Sequence, residues 1–145
     1  MARLLDQPRD LDELLAGVKT VAVLGIKTDA QSDQPAYYVP AYCKSIGLTI
    51  VPVPVYYPDA KRILDEPVHR ALADIPIPID LVDVFRRPAD LAAHLPDLLA
   101  AKPRAVWLQS GIRDDAFAAH LIAAGIDVVQ DRCLMVELRA RHRTR

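Results

Sequence analysis

The chain has 145 residues, a formal net charge of -1, and 52% hydrophobic residues with only 6% aromatics. That length suits one domain that buries about two-thirds of its unfolded surface, with no room for a second. A near-neutral charge excludes general attraction to nucleic acid or to an acidic membrane, so any anion site must be local and the expected partner is a small molecule.

No apolar run approaches the ~18 residues that cross a bilayer, and the opening MARLLDQP has no apolar signal core. A cytoplasmic protein is expected. Cys43 and Cys133 lie far apart without Cys-x-x-Cys or Cys/His spacing, so neither a disulfide framework nor a metal site is implied. His69, His94, His120 and His142 are scattered and read as helix-surface residues.

Residues 10–17, DLDELLAG, read as a short helix capped by Asp10 and stopped by Gly17. Residues 19–24 form a first apolar strand ending at Gly25. A polar loop, KTDAQSDQ, follows, and Pro35 opens a helix that runs to Gly47 with Pro40 inside it. Strand, glycine, polar loop and helix make the first βα unit of a nucleotide-binding fold, where helix N–H groups can meet a phosphate. The G-x-G-x-x-G fingerprint is missing, since Gly25 is the one glycine here. Lys27, Thr28, Gln31 and Ser32 could donate to an anion while Asp29 and Asp33 would repel it. The loop is open to both readings, an anion site or a surface connection.

Residues 48–55, LTIVPVPV, are the second strand. Pro52 and Pro54 are two apart, so their missing N–H groups face the same side and pairing there must stop near Val51. Proline and valine walls suit a flat apolar group such as a purine. An NAD site would instead place an acid at this strand end for the ribose hydroxyls, and the first acid is Asp59.

Residues 61–72 read as a loop and short helix, with Pro67 at the helix start. Residues 79–85 are the third strand, ending in Arg86-Arg87-Pro88, with Pro88 opening a helix to residue 101. Two arginines beside free helix N–H groups can hold an anionic ligand; equally, one can pair with Asp83 or Asp90. The fourth strand is Ala105-Val106-Trp107-Leu108, a continuous apolar run of the kind buried on both faces. Gln109, Ser110 and Gly111 at its carboxyl end stand where ligands bind in open α/β sheets, or form a plain βα turn with Gly111 at positive φ.

An amphipathic helix over residues 113–125, a fifth strand over 126–129 and a last helix from Leu134 to about Arg141 complete the chain. The basic tail, Arg139, Arg141, His142, Arg143 and Arg145, reads as a solvated end. Cys133 at the start of the last helix is either a reactive thiol or a small core hydrophobe. Its position after strand five puts it at least one strand spacing of ~4.8 Å beyond strand four. The elements give an α/β, Rossmann-like doubly wound domain: a five-stranded parallel sheet with helices on both faces, in the simplest order 3-2-1-4-5. The switch point then lies between strands one and four.

The runs VAVLG, IVPVPVYYP, DLVDVFRRP, VWLQSGI and AGIDVVQDRCLMVE, in this order and spacing over about residues 18–137, resemble the stand-alone CoA-binding domain proteins. Their fold is similar to the N-terminal domain of the succinyl-CoA synthetase α subunit. The resemblance implies CoA or an acyl-CoA at the carboxyl edge of the sheet. Gly25, Ile26, Lys27 and Thr28 would hold phosphates, and Pro54 and Val55 with Tyr56 and Tyr57 would line the adenine side. Phe85, Arg86, Arg87 and Pro88, with Gln109, Ser110, Gly111 and Ile112, would hold the rest. The first loop lacks the second glycine and the serine-plus-arginine pattern common in the family. Strand two ends in Val55-Tyr56-Tyr57-Pro58 where many relatives read valine-asparagine-proline. The synthetase's phosphorylated histidine belongs to a second domain, so ligase chemistry does not carry over. With no nucleophile-plus-base pair in the sequence, a CoA-binding protein without catalysis of its own is the leading expectation. The alternatives are an NAD(P)-dependent enzyme or redox-sensing domain, and a regulatory subunit that works through a protein partner.

Overall fold

The computed structural model describes residues 1–142, so Arg143 and Arg145 of the basic tail lie outside the described residues. Helix α1 (Pro8–Ala16) leads to β1 (Thr20–Leu24), α2 (Pro35–Ser45) and β2 (Thr49–Val53). A small hairpin, β3 (Arg62–Ile63) and β4 (Glu66–Pro67), precedes β5 (Leu81–Val84). Then come α3 (Leu95–Ala101), β6 (Ala105–Leu108), α4 (Asp115–Ala123), β7 (Asp127–Val129) and α5 (Leu134–His142).

Five strands form one parallel sheet in the order β2-β1-β5-β6-β7. Because successive side chains point to opposite faces, each strand feeds two cores. Val21, Val23, Leu81, Ala105 and Trp107 pack with Leu11 and Leu14 of α1, Val39 and Cys43 of α2, and Leu134 and Leu138 of α5. Ala22, Leu24, Val82, Val84, Val106 and Leu108 pack with Leu98 of α3 and with Phe117 and Leu121 of α4. The fold is the expected α/β, Rossmann-like one. None of the described helices is long and apolar enough to cross a membrane.

The expected order 3-2-1-4-5 is corrected to 2-1-3-4-5: β5 lies between β1 and β6, and β2 is the sheet edge. The prolines explain why. Gly25 N–H donates to the Val53 carbonyl at 2.9 Å and Thr49 N–H to the Lys19 carbonyl at 2.8 Å, so alternate residues of β2 serve β1. Pro52 and Pro54 fall on the other side, where no N–H can pair with a further strand. There the Pro52 carbonyl accepts instead from His69 N–H at 3.0 Å, and β5 takes the free side of β1. At the far edge, Leu5 N–H donates to the Val128 carbonyl at 2.8 Å, so the N-terminal segment covers β7.

Two other expectations change. Pro67 lies in β4 rather than at a helix start, because Leu64 and Asp65 both take positive φ (54° and 60°) and close a two-residue hairpin. The helix expected over 88–101 is two 3₁₀ turns, Pro88–Asp90 and Ala92–His94, followed by α3. Pro96 is the cause: its ring excludes the carbonyl of Ala92 and it cannot donate, so α-helical bonding begins only at Leu95.

Candidate functional site

With β5 beside β1, the reversal of winding lies between β1 and β5, not between the first and fourth strands of the sequence reading. Gly25 ends β1 there at φ +88°, and a Cβ on it would lie 2.4 Å from the Phe85 carbonyl oxygen. Glycine is therefore required both by φ and by the approach of the two strand ends. The loops leaving β1, β5 and β6 meet over this point and enclose a cleft of about 530 Å³. A smaller hollow of about 260 Å³ between α1 and α5 lies away from the carboxyl edge of the sheet.

From the first loop the cleft takes Lys27, Gln34, Pro35, Ala36 and Tyr38. Pro40 helps place them. As a proline it cannot donate to the Ala36 carbonyl one turn back, and that oxygen accepts from Lys27 N–H at 3.1 Å instead. The loop is thereby tied to the first turn of α2, and Lys27 Nζ donates to Gln34 Oε1. Thr28 faces elsewhere: its N–H and hydroxyl both bond Gln31 Oε1, at 3.1 and 2.8 Å, capping a 3₁₀ turn. Ile26 is buried in the core. The Asp29 carboxylate beside Tyr37, with burial, pushes that phenol up to about 12.

The β5 loop contributes Phe85, Arg86, Arg87 and Pro88. Arg86 Nε donates to His94 Nε2 at 3.1 Å, and its guanidinium lies 5.5 Å from the centre of the Tyr56 ring. Burial and the neighbouring Arg86 charge push the His94 imidazole down, which favours its neutral form, and the Arg86 N–H makes Nε2 the accepting nitrogen. Arg87 is 80% exposed and its Nε donates to Asp90 at 2.9 Å. One pairing anticipated from sequence thus forms with Asp90. Asp83 makes none: it is fully buried and neither carboxylate oxygen has a partner among the described residues. Tyr56 reaches the cleft rim through Arg86, whereas Pro54 and Val55 are not among the lining residues.

Gln109, Ser110, Gly111 and Ile112 form the third wall, and Cys133 joins them. The sequence reading kept Cys133 one strand away, but the chain after β7 folds back over β6. Trp107 Nε1 donates to the Arg132 carbonyl at 2.8 Å, Arg132 N–H to the Leu108 carbonyl at 3.3 Å, and Gly111 N–H to Asp131 Oδ1 at 2.6 Å. Leu134 N–H donates to Gln109 Oε1 at 3.0 Å. Because only the oxygen of a carboxamide accepts from N–H, Gln109 Nε2 is left over, and nothing among the described residues accepts from it. That side chain is 4% exposed, so its spare donor belongs to the cleft. Gln34, Pro35, Ala36, Tyr38 and Cys133 escaped the sequence reading as site residues. Pro35 at a helix start was the available signal for the first group, while Cys133 depends on bonds between residues about 25 apart.

The arrangement joins cationic donors (Lys27, Arg86, Arg87) to an apolar floor (Phe85, Pro88, Ile112) and one buried amide, within the size of ordinary ligand clefts. Cell-free ID.343 from Thermus thermophilus is 42% identical, with 93% of this chain and 98% of that one covered at a TM-score of 0.84. A hypothetical protein from Pyrococcus horikoshii OT3 shares the fold at 24% identity, covering 97% and 96% at a TM-score of 0.82. The uncharacterized protein YneT of Bacillus subtilis (strain 168) is 28% identical over 127 residues, 88% of this chain and 90% of its own length. The model of the CoA binding domain matches residues 19–139, which span every strand of the main sheet and all three cleft loops, and the chain belongs to that family.

Proposed function

We propose that the chain binds CoA or an acyl-CoA in the cleft between β1, β5 and β6, as one Rossmann-like unit without catalysis of its own. The carrying observation is the donor set. Lys27 and Arg86, with the exposed Arg87 at the rim, suit the phosphates of CoA, while the spare Gln109 amide, neutral and open to the cleft, suits a carbonyl of its pantetheine arm. Membership of the CoA-binding domain family supports the same ligand. The end of β2 argues against NAD, since Pro54 and Val55 stand where an acid would hold the ribose hydroxyls.

Titration calorimetry with CoA, NAD and ATP at one salt concentration tests the reading. CoA is expected to bind at least about tenfold, or ~1.4 kcal/mol, more tightly than either competitor. Micromolar NAD binding without CoA binding would replace it with an NAD(P)-dependent function.

A further inference from the structure

Cys133 lines the cleft, half-buried, one residue before Leu134, whose N–H is fixed by Gln109. The same Gln109 side chain, more than nine-tenths buried, presents an unpartnered amide donor to that cleft. Its Nε2 opens on the cleft rather than on the packed interior, so the amide offers its donor to a ligand carbonyl there. The pantetheine arm of CoA carries two amide carbonyls close to its terminal sulfur. A carbonyl seated on Gln109 therefore brings the sulfur end of the ligand to the part of the cleft that Cys133 lines.

We propose that Cys133 is a thiol–disulfide exchange site for disulfides of CoA, with the Gln109 carboxamide holding the pantetheine arm. This deepens the CoA reading and rests on it. The Cys133 thiolate attacks the near sulfur of CoA disulfide. An S–S bond between Cys133 and one CoA forms as the bond between the two CoA sulfurs breaks. The departing CoA thiolate leaves with the electron pair and takes up a proton, matching the one that Cys133 gave to solvent. One disulfide is consumed and one is made, so the disulfide itself is the oxidant. Cys43 is a poor competitor: it has no exposure, and burial pushes its thiol up, away from the reactive thiolate.

The experiment follows intact-protein mass while the full chain is incubated with CoA disulfide or, separately, with glutathione disulfide. Reduced CoA binding is measured by calorimetry on the same sample. The expected result is a single CoA adduct that maps to Cys133, persists in Cys43→Ser and is missing in Cys133→Ser. It should form at least about tenfold faster than the glutathione adduct, because binding makes the exchange effectively intramolecular. Gln109→Glu keeps an oxygen for Leu134 N–H and loses the donor, and should slow the CoA reaction by a larger factor than the glutathione reaction, which senses only the added charge beside the thiol. If reduced CoA binds but no Cys133 adduct forms, or both disulfides react equally fast, the exchange site is overturned and the CoA reading stands. If reduced CoA does not bind, both fall together.

Discussion

The Arg86 side chain is 14% exposed and its guanidinium is held by His94, by Asp90 at 3.9 Å and by the face of Tyr56, whereas its neighbour Arg87 lies in solvent against Asp90. A preorganised, half-desolvated cation is worth more to an anionic ligand than a mobile one, since water screens the second. Arg86→Ala should weaken CoA binding by about 1.5–3 kcal/mol, while Arg87→Ala should change it by no more than about 0.5 kcal/mol. Calorimetry at constant ionic strength separates them, and equal, negligible losses would remove the pair from the site. The glycines divide in the same way. Gly25 and Gly111 share positive φ, but only Gly25 has backbone in the way of a Cβ. Gly111→Ala should cost about 1 kcal/mol for φ alone, and Gly25→Ala about 2 kcal/mol or more because the end of β5 must also move. Thermal melts of the two variants check the ranking.

At the scale of elements, the site depends on how α5 is fastened to β6. Gln109 ends β6 and caps α5, so Gln109→Met keeps the volume but leaves the buried Leu134 N–H without an acceptor. That should lower stability by about 1–3 kcal/mol in urea denaturation, and a neutral result would mean that water reaches the helix start. The elements themselves were legible where burial leaves a mark. Residues 105–108 and 19–24 read as strands because a strand covered on both faces needs apolar residues at every position. The Leu64-Asp65 hairpin was not legible, since neither residue is the glycine or asparagine that usually announces such a turn. The helix expected over 88–101 followed the apolar spacing from Leu91 to Leu99, although Pro96 within it is a legible sign of the break before α3. Arg86, Arg87 and Gln109 were legible as strand-end residues. Cys133 was not, because its place is set by the indole of Trp107 and the amide of Gln109, contacts with no local trace in sequence.

For the molecule as a whole, strand order follows from a few backbone groups: Pro52 and Pro54 close one side of β2, and β5 becomes the inner neighbour of β1. That inner position gives Asp83 its setting. It stands between Val23 and Trp107 in the sheet, with Cys43 of α2 close enough to feel its charge. Both oxygens lack partners among the described residues, and burial raises its carboxyl well above the ordinary 3.8. The folded chain thus holds a proton that the unfolded chain releases near the ordinary value. The favourable contribution of protonated Asp83 is complete below that value and is lost as pH rises from it towards the raised folded one. Asp83→Asn has no proton to lose, so wild type should lose stability relative to it at up to about 1.4 kcal/mol per pH unit across that window. Urea denaturation of both proteins from the acid limit of folding up to neutrality measures the difference. Diverging curves would confirm an uncompensated acid at the centre of the sheet. Parallel curves would mean that the carboxyl ionises at its ordinary value, which requires a water or cation beside Asp83.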